Sequence, residues 1–176
     1  RSMLRGGRYL LVAGNAAEGR AGQGAYLSLA PITVRNGSVE VGEVYDAASA
    51  GDPATTLDVL PEGSVALGDA DMKRHVGLFR PNRIWATLGL DARFDVNASL
   101  VADMWERRTG DRVDGVVYLD SMAMADLLQL TGPIVVDGFA VDASTVTDEL
   151  LVGQYDRFTT IPERKAWLHE FTRLVT

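Results

Sequence analysis

Apolar and polar positions along this chain switch between a strand-like and a helical period, and the switches divide it into elements. Arg8 to Ala13, RYLLVA, is an apolar run of strand length. Ala25 to Val34 and Ser38 to Val44 read as two strands joined by Arg35-Asn36-Gly37. Asn-Gly is a strong hairpin signal because both residues tolerate positive φ. From residue 46 to 68 the pattern breaks at Asp52-Pro53 and Pro61-Glu62-Gly63, which predicts loop with room for one short helix. Asp69 to Phe79 predicts a helix, with Asp69-Ala70-Asp71 suited to its N-terminus. Pro81 to Phe94 reads as irregular. Asn97 then caps a helix over Ala98 to Thr109, with Leu100, Val101, Met104 and Trp105 as its buried stripe. Arg107 and Arg108 fall in its last turn, where cations meet the negative end of the helix dipole.

Val113 to Val136 carries the clearest pattern. Val116 to Leu119 has the unbroken apolar character of a strand buried on both faces. Asp120 and Ser121 offer a helix N-cap directly after it. Met122, Ala125, Leu128 and Gln129 follow at helical spacing, with Met124, Leu127 and Leu130 widening the apolar face. Thr131-Gly132-Pro133 ends that helix, and Ile134 to Val136 starts a new strand. Asp142 to Val152 predicts a helix. Pro162 to Leu174 predicts a terminal one with Trp167, Leu168, Phe171 and Leu174 on its apolar face. The order predicts an α/β fold: one mixed central β-sheet sandwiched by helices.

Composition narrows the function classes. At 176 residues the chain reads as a single domain, residues 1–176, and it has no cysteine, so disulfides, thiol nucleophiles and thiolate metal sites are excluded. The net charge of −7 argues against a nucleic-acid partner, which calls for a basic face. Of the 17 basic residues only Lys73 and Lys165 are lysine. A GC-rich genome produces that bias; so does a need for guanidinium forks on phosphate or carboxylate. No apolar run approaches the roughly 18 residues of a membrane span. Arg1-Ser2-Met3 reads as a cloning remnant, so the natural chain is expected to begin further upstream.

The candidate chemistry is sparse. Gly14 to Gly24, GNAAEGRAGQG, follows a strand but has neither the dinucleotide fingerprint nor the nucleotide P-loop lysine, and a strand rather than a helix follows it. It places Glu18 and Arg20 at the mouth of the sheet. His75 and His169 are far apart, and neither has a ligand or base partner at a characteristic spacing. Arg157, on a strand or loop, precedes a helix whose early turn carries Arg164. If both face one space with the helix N-terminus, that space suits a diphosphate.

Gly14-Asn15-Ala16-Ala17-Glu18-Gly19-Arg20-Ala21-Gly22-Gln23-Gly24 resembles the Q-N-N-A-E-x-R-A-T-G-G signature of domain-of-unknown-function family 4012. Val113-Asp114-Gly115-Val116 with Asp120, Leu127-Leu128 and Thr131-Gly132-Pro133-Ile134 is similar to that family's second block, and Leu150-Leu151, Tyr155, Arg157-Phe158 and Arg164 to its C-terminal end. The resemblance implies an extracytoplasmic domain of the bacterial cell envelope, held to the membrane by an N-terminal anchor upstream of Leu4.

A more distant resemblance is to the LytR-CpsA-Psr envelope phosphotransferases, which move glycopolymers from polyprenyl diphosphate carriers to the cell wall. Tyr9 to Ala13, the Arg20 loop, the Asn36-Gly37 hairpin, Val41 to Asp46, Thr109-Gly110 to Asp120 and Tyr155 to Arg164 follow that family's order. It implies a diphosphate site at Arg20, Asp46, Arg157 and Arg164, with Mg²⁺ as the one candidate cofactor and no protein metal ligand assigned. Tyr45 and Thr159 stand where the family has arginine, Gly22-Gln23-Gly24 replaces its S-D-T, and Lys165 replaces a glutamine. Fewer charge-neutralising donors predict weak catalysis. The expected function is therefore binding of a lipid-linked, diphosphate or glycan ligand, or of a cell-wall assembly protein, with no catalytic residue identified. The alternatives are a glycopolymer phosphotransferase and a structural interaction module.

Overall fold

The computed structural model describes residues 6–47 and 55–175. Asp52-Pro53 and Arg1-Ser2-Met3 lie outside them. Strands β1 (Gly7–Asn15), β2 (Ala25–Arg35), β3 (Ser38–Val41), β4 (Tyr45–Asp46) and β5 (Gly115–Leu119) form one mixed sheet. β2 runs antiparallel to β1, β3 and β4, whereas β1 and β5 are parallel. The predicted hairpin forms as a two-residue turn with Asn36 at φ 51° and Gly37 at φ 83°, whose twist matches that of its strands. β5 lies at the sheet edge and is half-buried along its length, not buried on both faces as its apolar run implies.

The helices are α1 (Ala70–Val76), α2 (Phe94–Thr109), α3 (Ser121–Thr131), α4 (Val146–Asp148), α5 (Gln154–Arg157) and α6 (Ile161–Val175), with single 3₁₀ turns at Gly77–Phe79 and Trp85–Thr87. A π turn, Glu149–Gly153, joins α4 to α5. Asp69 caps α1 by accepting from the Met72 N–H at 2.7 Å, and Asp120 caps α3 through the Ala123 N–H at 2.9 Å. Thr160 and Glu163 cap α6: the Thr160 hydroxyl donates to the Glu163 carboxylate at 2.7 Å.

Several boundaries differ from the sequence reading. α2 begins at Phe94, so Asn97 is not its cap; it lies 1% exposed inside the first turn and donates through Nδ2 to the Asp91 carbonyl at 2.6 Å. The helix expected over Asp142–Val152 starts later and runs on, which puts Arg157 in a last helical turn rather than a strand or loop. Ile134–Val136 does not join the central sheet. It forms β6 of a separate hairpin with β7 (Phe139–Val141), turned by Asp137 and Gly138, both at positive φ. On α3 the buried residues are Ser121, Met124 and Leu128, while Met122 and Leu130 face solvent; on α6 Val175 is buried and Leu174 is exposed.

The sheet has two unlike faces. Leu10, Val12, Tyr26 and Leu29 pack on Trp85, Leu88 and the α2 stripe of Leu100, Val101, Met104 and Trp105. Leu11, Ala30, Ile32 and Val44 belong to a smaller second cluster. A third cluster joins Met124 and Leu128 of α3 to Val136, Val141, Trp167 and Phe171, and meets the second at Leu119.

Candidate functional site

Outside the carboxyl ends of parallel β1 and β5 lies a narrow cleft, the usual position for ligands in open α/β sheets. Ala13, Gly14 and Asn15 contribute from β1, and Leu119, Asp120 and Ser121 from the β5–α3 junction. Its far wall is Leu150 and Leu151 of the π turn, Gln154, and Leu168, Phe171 and Thr172 of α6. Leu27 and Ser28, consecutive on β2, both line it, which regular side-to-side alternation forbids. The cause is a bulge: Ala13 pairs with Ser28 and Gly14 with Tyr26, leaving Leu27 unpaired. The space open to the centre of a water-sized sphere is about 50 Å³, room for a few waters in the present arrangement.

The lining is apolar with polar groups at particular points. Gln154 is 3% exposed; its Nε2 donates to the Leu150 carbonyl, and its Oε1 has no hydrogen-bond partner among the described residues. A buried acceptor without a donor costs roughly 1–3 kcal/mol, so this oxygen is an open valence at the cleft wall. The π turn that precedes it is a rare helix irregularity frequently found at functional sites.

Beside the cleft is an ion cluster. Asp46, paired across the strands with Ser28, is 3% exposed. Lys165 Nζ lies 2.9 Å from its Oδ2 and His169 Nε2 lies 3.2 Å from its Oδ1. Burial raises the Asp46 pKa, but the hydrogen bonds and charges of His169 and Lys165 outweigh it and hold the carboxyl below its ordinary value. Lys165 and His169 are one helical turn apart on α6, so the cluster ties α6 to β4.

The four residues expected to form a diphosphate site have these surroundings. Arg20 donates through Nη1 to the Ala86 and Leu88 carbonyls at 2.7 and 2.8 Å and so braces the Trp85–Thr87 turn. Arg157 pairs with Glu149 at 2.7 Å across the π turn, and its guanidinium lies 4.0 Å from the centre of the Phe139 ring. Arg164 lies over Tyr155 at 4.4 Å. Asp46 meets Lys165 and His169. These contacts gather Asp46 with α6, and they do not gather Arg20, Arg157 and Arg164 into one cluster. Mg²⁺ does not fit Asp46 as arranged, because a cation already faces one carboxylate oxygen and His169 meets the other. Among the described residues no group of three His, Asp or Glu side chains is placed to hold a metal ion.

The glycine-rich loop is shaped by packing. A Cβ on Gly22 would run into the Asp91 carbonyl and the Asn97 amide, and one on Gly14 would overlap the Tyr118 ring. The Tyr118 hydroxyl donates to the Gln23 carbonyl; burial, then the charge of Asp120, pushes its pKa up to about 12. Residues 6–155 match the family model described as Protein of unknown function (DUF4012). The chain belongs to that family. No curated protein and no solved structure matches it. Gly22 therefore has a local physical reason in this chain: it lets the loop close over Gly89, Asp91 and Asn97.

Sequence reasoning missed Lys165, His169, Gln154 and the Leu27 bulge. The spacing of Lys165 and His169 on one helix face was a legible signal. Their partner Asp46 was not, because only the tertiary fold brings it near.

Proposed function

We propose that this domain binds the apolar carrier of a lipid-linked envelope ligand in the cleft beyond β1 and β5, without strong catalysis. The carrying observation is the cleft itself: an apolar slot with the buried Gln154 in its wall and Asn15, Asp120 and Ser121 at the strand ends. An elongated chain has the shape for it once α6 and the π turn part. The LytR-CpsA-Psr resemblance supports this reading, since those enzymes hold a polyprenyl tail beside a diphosphate. Weak catalysis follows from electrostatics. Transfer from a diphosphate needs aimed cations, and losing one aimed donor costs about 10²–10³ in rate. Here Arg20 is occupied in bracing the fold, Arg157 is neutralised by Glu149, and Tyr45 and Thr159 carry no charge.

Native mass spectrometry with farnesyl diphosphate, farnesol and pyrophosphate as separate ligands tests the reading. The two farnesyl compounds should bind and pyrophosphate should not, and Leu151→Trp, which fills the slot, should abolish binding with the fold intact by circular dichroism. Binding of pyrophosphate alone, or of none, contradicts it. The phosphotransferase alternative has one observation in its favour, the charged Asp46–Lys165–His169 cluster at the cleft's edge. Mg²⁺-dependent turnover of farnesyl diphosphate that disappears in Arg157→Ala would establish that alternative.

The same reading includes an extracytoplasmic location behind a membrane anchor upstream of Leu4. No helix among the described residues is long and apolar enough to cross a membrane. Protease shaving of intact host cells should cleave the full-length protein; its recovery in the cytosol contradicts the location.

A further inference from the structure

One exposed turn combines two properties that rarely occur together on an acidic protein. The 3₁₀ turn Gly77–Phe79 follows α1 directly and presents Leu78 at 90% and Phe79 at 53% exposure. The turn is built to hold them there. Arg80 closes it in the left-handed region at φ 54°, donating its N–H to the Gly77 carbonyl at 3.0 Å. Its own carbonyl accepts from the Arg83 and Ile84 N–H groups at 2.9 and 3.0 Å, and Pro81 is buried behind it. A non-glycine residue at positive φ is uncommon, and three hydrogen bonds fix it here.

The charge around the turn opposes that of the whole molecule. The chain carries −7, yet between Asp71 and Asp91 there are Lys73, Arg74, Arg80 and Arg83 and no acidic residue. Arg83 is committed to the Leu60 carbonyl and Glu62. Lys73, Arg74 and Arg80 are exposed and make no ion pair or side-chain hydrogen bond with a described residue. Two protruding apolar side chains are far too little surface for a stable protein interface, which needs about 1,000 Å². They are the right size to enter the boundary between lipid head groups and acyl chains, with the long stems of Lys73, Arg74 and Arg80 reaching anionic head groups. We infer that the Leu78–Phe79 turn is a wedge that docks the folded domain on an anionic lipid bilayer. This contact is separate from the cleft and from any upstream anchor, and it does not depend on the ligand reading above.

Co-sedimentation of the chain with vesicles of phosphatidylcholine, with and without phosphatidylglycerol, tests it. Binding is expected only to the phosphatidylglycerol vesicles, with release by high salt. Arg80→Gln should weaken partitioning about fivefold, since each cation near an anionic surface contributes on the order of 1 kcal/mol. The double change Leu78→Ser and Phe79→Ser should weaken it at least about tenfold. The same change at exposed Leu130, Leu130→Ser, should leave it unaltered, and circular dichroism confirms each fold. No binding to phosphatidylglycerol vesicles overturns the inference. Binding that survives the double serine change, or equal affinity for soluble poly-glutamate, overturns it too, because the turn would then be only a basic patch.

Discussion

The two sides of the central sheet are built by different physics. On the α2 side, Trp85, Leu88, Val101, Met104 and Trp105 are all at most 2% exposed and form one large apolar cluster with the strands. On the α6 side, smaller clusters surround a cleft, a π turn and a buried carboxylate held by Lys165 and His169. Dense apolar packing resists change and carries stability. Irregular backbone and buried charged groups cost stability and persist where a fold keeps a site. The contrast assigns stability to one face and ligand chemistry to the other, and it can be broken experimentally.

The largest effect belongs to the α2 side. Trp85→Ala removes a side chain 1% exposed, whose indole N–H also donates to the Asp58 carbonyl at 3.0 Å. Urea unfolding should show a loss of about 3–5 kcal/mol with cleft binding retained wherever the variant is folded. A smaller loss would mean that this face is not the stabilising one.

Next is Asp46→Asn, which strips the charge facing Lys165 and His169. Both partners are about a fifth to a quarter exposed, so solvent screens the pair and the cost should be about 2 kcal/mol near pH 5. The sign with pH is fixed. A carboxyl lowered in the folded state contributes stability that is complete above its unfolded value, about pH 4, and lost as pH falls through the folded value. The stability gap between wild type and Asp46→Asn should therefore close progressively as pH falls below about 4. A gap that stays constant under acid would show that Asp46 acts by shape and not by charge.

The smallest effect sharpens the comparison most. Gln154→Leu removes the open acceptor and its short-range bond to Leu150, so stability should stay within about 1 kcal/mol of wild type or rise. Affinity for a farnesyl ligand with a polar head should fall. A loss of several kcal/mol would mean that a water or other group satisfies Gln154 in solution and that its role is structural.

Local features on both sides were legible in sequence. The buried stripe of α2, the Asn36–Gly37 turn, the Asp120 cap and the termination at Gly132-Pro133 are local features, set by spacing and backbone preference. Misreadings arose where tertiary contacts override local preference. Asn97 looked like a cap but is drawn inward by the Asp91 carbonyl. The Asp137-Gly138 turn went unread, and Ile134–Val136 was counted with the one central sheet because sequence carries no record of which edge a strand joins. Val175, just past the predicted helix end, is buried with Val136 and Val141 of the separate hairpin, whereas Leu174 is exposed. The cleft was invisible for the same reason: it is made by a bulge at Leu27, a π turn and α6, brought together from distant parts of the chain.

The division between the faces is tested most directly by mapping amide chemical shifts while farnesyl phosphate is titrated into isotopically labelled protein. The account predicts shifts concentrated at Asn15, Leu27–Ser28, Leu119–Ser121, Leu150–Gln154 and Leu168–Thr172, with the α2 side unmoved. Shifts centred on Leu100–Trp105 or scattered over the surface, or none at saturating ligand, would contradict it.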